Sequence, residues 1–331
     1  MTNRASLALA ARTGLFGRAV RALPTPRLLG GCLALLLAAL VPACSSTPGA
    51  TGSCRTVSNC KDDAAPICDA ASLACRACQM GTDDIACKNR NASTPVCGPA
   101  GRCVGCMSNS DCTDLRSPVC SSNKSCGPCQ RTGDCLSGIC SADGSCAPTG
   151  SVLYVSNKSS CSATPRGSKD DPFCTIKDAV DAAIATNKSF ISVEATGTAY
   201  GPVVINSAGA SGLRIVGSGA ATGVPIRSTG TDAAIRVEST GATRIKVALS
   251  GFDLASAAGN AAECNGNVDL SVESSRLHDS WEGILVAGCK LTIDGARVYL
   301  NRRNGISLTN VSDYNIQNAM IWRNDVSGIA L

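Results

Sequence analysis

Residues 290–329, KLTIDGARVYLNRRNGISLTNVSDYNIQNAMIWRNDVSGI, read as nearly two copies of one unit. Ile293 and Val298 stand five apart and Ile316 and Ile321 repeat that pair 23 residues later. Asn301 and Asn324 follow each pair by three, and Gly305-Ile306 and Gly328-Ile329 close the units. Toward the N-terminus, Val272/Leu277 and Val247/Phe252 continue the series at intervals of 21 and 25 residues. Ser280 and Ala255 take the asparagine place, and Gly283-Ile284 the closing one. A repeat of about 22 residues with two or three brief strands and no helix is one turn of a parallel β-helix, whose coils bury their apolar side only by stacking.

Stacked coils turn sequence positions into columns, because neighbouring residues of a strand face opposite sides. If Val272, Ile293 and Ile316 point inward, Glu273, Asp294 and Gln317 form one outward column and Ser271, Thr292 and Asn315 another. Glu273 and Asp294, with Lys246 on the coil before, are the candidate catalytic residues. A close carboxylate pair could hold calcium or divide acid and base roles at a glycosidic bond, and a solvated polar ladder is the plain alternative. Beside the inward Leu277, Val298 and Ile321, His278, Tyr299 and Trp322 put three rings at rung spacing in a chain that is only 3% aromatic. They are the candidate ligand-binding strip, since aromatic faces suit the apolar faces of sugars; ring stacking alone is the structural alternative. Asn301 and Asn324, with Ser280, resemble the internal asparagine ladder of parallel β-helices, which implies that their side chains satisfy backbone groups at a bend.

Upstream of the ladder lie Leu153–Ser156, Asp171–Ile176, the helical KDAVDAA of 177–183, Ile191–Val193, Gly197–Tyr200 and Pro202–Ile205. This run resembles the start of right-handed, pectin-lyase-like β-helices, in which a short amphipathic helix caps the open end. The resemblance covers residues 151–331 and implies an all-β solenoid, a fold that hosts lyases, hydrolases, adhesins and passive scaffolds alike. Calcium would be the cofactor of a lyase; otherwise none is expected. Arg244-Ile245-Lys246 matches a polygalacturonase fragment, but its companion motifs are missing and the match is treated as chance. The ladder stops at Leu331 within a repeat, which suggests that further coils follow.

The chain holds 22 cysteines in 331 residues, several times ordinary usage. Sixteen lie between Cys54 and Cys146 in four four-cysteine units that begin at Cys54, Cys78, Cys106 and Cys129. A Pro and a β-branched residue precede the third cysteine of the first three units, and Cys112 and Cys135 each follow an Asp. Units this small cannot fold on a core alone, and even parity points to disulfides of unassigned pairing. Zinc at the CxxC pairs is the alternative, but each CxxC straddles a unit junction and the segment has no His. The array resembles the Dickkopf-type repeats of bacterial surface lipoproteins, which implies a stalk or interaction role. Cys161 and Cys174 can close the loop before the capping helix. Cys264 and Cys289 are 25 residues apart, about one coil, and are expected to bridge adjacent rungs.

At the N-terminus, five arginines and no acid precede Cys44, and the apolar stretch Leu28–Val41 is too short to span a bilayer. Residues 1–43 therefore read as an export signal. Val41-Pro42-Ala43-Cys44 resembles a bacterial lipobox, implying acylation of Cys44 and an outer-membrane anchor; plain cleavage after Ala43 is the alternative. The formal charge of +5 resides in those arginines, and the rest sums to zero, leaving no footprint for nucleic acid. The expected order is signal 1–43, tether 44–53, repeats 54–146, linker 147–150 and β-helix 151–331. The expected function is non-catalytic recognition or scaffolding outside the cell, facing a polysaccharide or a surface protein. A polysaccharide lyase or glycoside hydrolase is the second reading.

Overall fold

Short β-branched runs ended by Gly, Asn and Ser cannot make a stable sheet singly, and here each pairs in parallel with its counterpart one coil away. The computed structural model describes residues 53–331 except 142, 159–160, 162–163, 220 and 312. Cys44, the expected signal and nearly all of the tether lie outside the described residues.

Three parallel sheets line the solenoid, of seven, five and six strands, each in chain order along the axis. The first includes Phe190–Glu194, Leu213–Ser218, Ile245–Ser250, Val268–Glu273, Lys290–Asp294 and Tyr314–Gln317. The second runs from Val224–Ser228 through Phe252–Ser256, Arg276–His278 and Arg297–Tyr299 to Met320–Trp322. The third runs from Val203–Ile205 to Ser327–Ala330. Helix Ile176–Thr186 packs Ile176, Ala179, Val180 and Ala183 onto the first coil, and its N-cap Thr175 accepts the Asp178 N–H at 3.1 Å.

Inside, Val272, Ile293 and Ile316 are in register, as are Leu277, Val298 and Ile321. One coil earlier the register differs from the sequence alignment: Leu249, not Val247, meets Val272, and Leu254, not Phe252, meets Leu277. The slip is two residues, so every side chain keeps its inward or outward sense. The polar ladder follows the expected column, except that Ser256 rather than Ala255 meets Ser280, donating its N–H to Ser280 Oγ at 2.9 Å. Asn301 Oδ1 accepts the Ser280 N–H, and Asn324 Oδ1 accepts the Asn301 N–H at 3.1 Å. Asn301 Nδ2 donates to the Leu277 carbonyl at 3.4 Å and to Asn324 Oδ1 at 2.8 Å.

The recurring glycine belongs to the same corner. A Cβ on Gly283 would lie 2.4 Å from the Gly305 carbonyl oxygen and 2.9 Å from Asn301 Nδ2, so only glycine lets the coils close over the amide. Asp279, Leu300 and Arg323 turn the chain just before it, at φ of 50°, 57° and 53°.

All sixteen cysteines of the array are oxidised, and each unit joins its first cysteine to its third and its second to its fourth: Cys54–Cys68 and Cys60–Cys75, then Cys78–Cys97 and Cys87–Cys103, Cys106–Cys120 and Cys112–Cys126, Cys129–Cys140 and Cys135–Cys146. The two sulfurs of every CxxC therefore belong to different bridges. The Pro and β-branched residue lead into hairpins such as Val119–Cys120 with Cys126–Gly127. The Asp before the second cysteine caps a tight turn: Asp111 Oδ2 accepts the Met107 and Ser108 N–H groups at 2.8 Å, and these bonds hold its carboxyl below the usual range.

Cys161–Cys174 forms ahead of the capping helix, and Cys264–Cys289 bridges coils with a Cα separation of 6.2 Å. Cys264 is in register with Val286, so Cys289 reaches it from the turn beyond the strand rather than from the opposite rung.

The fourth repeat packs on the outer face of the first sheet. Ile139 and Ala147 form a buried cluster with Val152 and Val216, with Tyr154 and Phe190 against it. Residues 147–150, expected as a linker, lie at this packed joint, with the Ala147 N–H donating to the Ile139 carbonyl at 3.1 Å. No helix among the described residues is long and apolar enough to cross a membrane.

Candidate functional site

Parallel pairing places the outward columns. Glu273 and Asp294 are direct register partners. Lys246 is not in their column: it pairs with Asp269, four residues back along the strand from Glu273, because the two-residue slip and the strand length carry it to the other edge. The basic partner of Glu273 is instead Arg214, two coils earlier, whose Nη2 donates to Oε2 at 2.7 Å and Nη1 to Oε1 at 3.3 Å. Asp294 Oδ1 accepts from Asn318 Nδ2 at 2.8 Å. Both acids of the expected catalytic pair are thus engaged by side chains of the chain itself.

The ring column forms in full. His278 and Tyr299 stack with centroids 5.0 Å apart and planes 12° from parallel; Tyr299 and Trp322 stack at 4.5 Å and 13°. Stacking changes what the strip can offer. A sugar stacks on a free ring face, and here both faces of Tyr299 and one face each of His278 and Trp322 are covered by a neighbouring ring. The three rings form a continuous stacked rib across three coils.

At the base of this rib, His278 Nε2 meets Asp253 Oδ1 at 2.5 Å and Nδ1 meets Asp279 Oδ2 at 2.7 Å. Both nitrogens face carboxylates, which suits an imidazolium donating twice. The Asp253 bond raises the His278 pKa above its ordinary value against the pull of burial. For Asp253 burial alone would push the pKa up, but the bonds from His278 and Arg227 outweigh it and hold it low. Linkage fixes the sign. The His278 contribution is complete below the unfolded histidine pKa of about 6.5 and disappears as pH rises through the raised folded value. That of Asp253 is present above an unfolded value of about 3.9 and is lost as pH falls through the lowered folded one. Thermal midpoints should therefore fall as pH rises above neutrality, and His278→Gln should flatten that limb. An unchanged slope in the variant would remove His278 from the account.

A cleft of about 950 Å³ lies where the fourth repeat overhangs the turns between the first and second sheets. Arg131 and Asp143 of the repeat line it, opposite Arg214, Glu273, Arg276 and Arg297 of the solenoid. Arg276 and Arg297 are register partners in the outward column that starts with Pro225 and Asp253 and ends with Met320. Both immediately precede the inward Leu277 and Val298, so the repeat pattern already marked them as outward. Arg131 has no such signal, since only the docking of the repeat brings it here. Comparison with protein-family models, with curated proteins and with solved structures finds no match.

Proposed function

We propose that the chain is an exported, lipid-anchored surface protein in which Dickkopf-type repeats carry a β-helix that recognises carbohydrate without cleaving it. The observation that carries the non-catalytic part is the Arg214–Glu273 pair, which with the Asn318–Asp294 bond occupies the two acids that hydrolysis or elimination would need free. Recognition is supported by the cleft, whose volume of about 950 Å³ and lining of guanidinium, hydroxyl and main-chain groups suit several linked sugars. Export and anchoring rest on the arginine-led apolar stretch before Cys44, and the ten disulfides suit an oxidising compartment.

One expression experiment tests the whole reading. Cells fed labelled fatty acid should label the full chain and not Cys44→Ala. The isolated protein should bind members of a polysaccharide panel and release no reducing or unsaturated ends. Product release that vanishes in Glu273→Gln/Asp294→Asn would replace this reading with the lyase or hydrolase one.

A further inference from the structure

The charges around the cleft do not cancel. Glu273 is taken by Arg214 at 2.7 Å. Asp253, the next acid in the column below Arg276, is taken by Arg227 at 2.6 Å and by His278 at 2.5 Å. Asp143 accepts from its neighbour Ser145 at 2.6 Å. The guanidinium groups of Arg276 and Arg297 make no ion pair among the described residues, yet they sit on adjacent rungs of a parallel sheet, about 4.8 Å apart in backbone spacing. Like charges facing each other across strands are unfavourable without a counter-charge. Arg214 adds a buried Nε–H with no acceptor, and Arg131 reaches the cleft from the repeat with only a 3.6 Å contact to Asp134.

We infer that this cleft is an oxyanion site shared between the cysteine-rich array and the solenoid, taking a glycan that carries carboxylate or sulfate groups, with Arg276 and Arg297 as the paired binding residues and Arg131 closing the site from the repeat. The inference rests on the recognition reading above and adds the charge class of the ligand and the part of the molecule that completes the site. Guanidinium is the side chain suited to this task, since its planar fork bonds a carboxylate or sulfate through two parallel N–H groups. The requirement for charge is the cleft's own: a neutral sugar would leave Arg276 and Arg297 facing each other unneutralised.

The test uses the full chain and calorimetric titration with three oligosaccharides of equal length, one sulfated, one built of uronates and one neutral. At least one acidic probe should bind about tenfold or more tighter than the neutral one, and its affinity should fall with added salt. Which acidic probe binds decides between sulfate and carboxylate. Arg276→Gln/Arg297→Gln should weaken that binding about tenfold or more, and Arg131→Gln should weaken it several-fold, with thermal midpoints no lower than that of the native protein. Equal binding of the neutral probe, undisturbed by the arginine variants, overturns the anion inference and leaves carbohydrate recognition standing. Failure of all three probes overturns both. Equally tight binding of a single-stranded oligonucleotide of matched charge overturns the glycan assignment.

Discussion

Asn301→Ala should lower the stability of the solenoid by about 2–4 kcal/mol, through a buried N–H left unpaired and the space the amide vacates. Asn301 is fully buried, and its amide serves the Ser280 N–H, the Leu277 carbonyl and Asn324 Oδ1 at once. Alanine leaves the buried Ser280 N–H without a partner, at a cost of about 1–3 kcal/mol, and takes one bond each from the Leu277 carbonyl and from Asn324 Oδ1, which keeps the Asn301 N–H. Asn301→Ser should recover part of the loss, because Ser280 holds the equivalent place one coil earlier. Denaturant unfolding with hydrogen exchange at Ser280 reads both effects, and a loss below about 1 kcal/mol for the alanine variant would show that the ladder is dispensable.

Cys135→Ser/Cys146→Ser should unfold the fourth repeat while the solenoid keeps its own transition. A bridge in a unit of this size is worth about 2–5 kcal/mol, more than its few apolar side chains can replace. The consequence reaches the neighbouring sheet, because Ile139 and Ala147 cover Val152 and Val216, which would then face water. Limited trypsin digestion should cut at Arg131 in the variant and spare it in the native protein. Acidic-glycan binding should weaken with it, since Arg131 leaves the cleft. Protection of Arg131 in the double variant would mean that docking, not the bridge, holds the repeat.

Much of this architecture was legible because stacking repeats its requirements. Ile293, Ile316 and their partners recur because each coil must fill the same interior slot, and Asn301 and Asn324 recur because each coil leaves the same backbone groups unpaired. The first visible coil was misaligned by two residues because Val247 and Leu249 are both buried, and alternation alone does not choose between positions of the same parity. His278, Tyr299 and Trp322 were located correctly as a column, but a column position does not say whether rings present faces or edges. The pairing of the sixteen cysteines is local to each unit, but four cysteines allow three connectivities and spacing does not choose among them, while the place of Arg131 depends on a contact between segments distant in sequence. Val152 did carry a hint: it opens the run VLYV, which is apolar without alternation, the pattern of a strand covered on both sides.

The bridge pattern of the array also governs how it responds to force. In the first unit, tension entering at Cys54 can follow six residues to Cys60 and cross directly to Cys75, 15 residues further on in sequence. The slack in between is locked, so even a unit that has lost all its turns can span no more than about 20 Å of backbone, at roughly 3.5 Å per residue, plus the bridge itself. The third and fourth units offer the same six-residue path, from Cys106 to Cys112 and from Cys129 to Cys135, and the second a nine-residue one from Cys78 to Cys87. Only two residues separate one unit from the next. A chain cross-linked in this way behaves under shear as an almost inextensible tether, and it delivers the load to the β-helix through a joint that is itself packed against the first sheet.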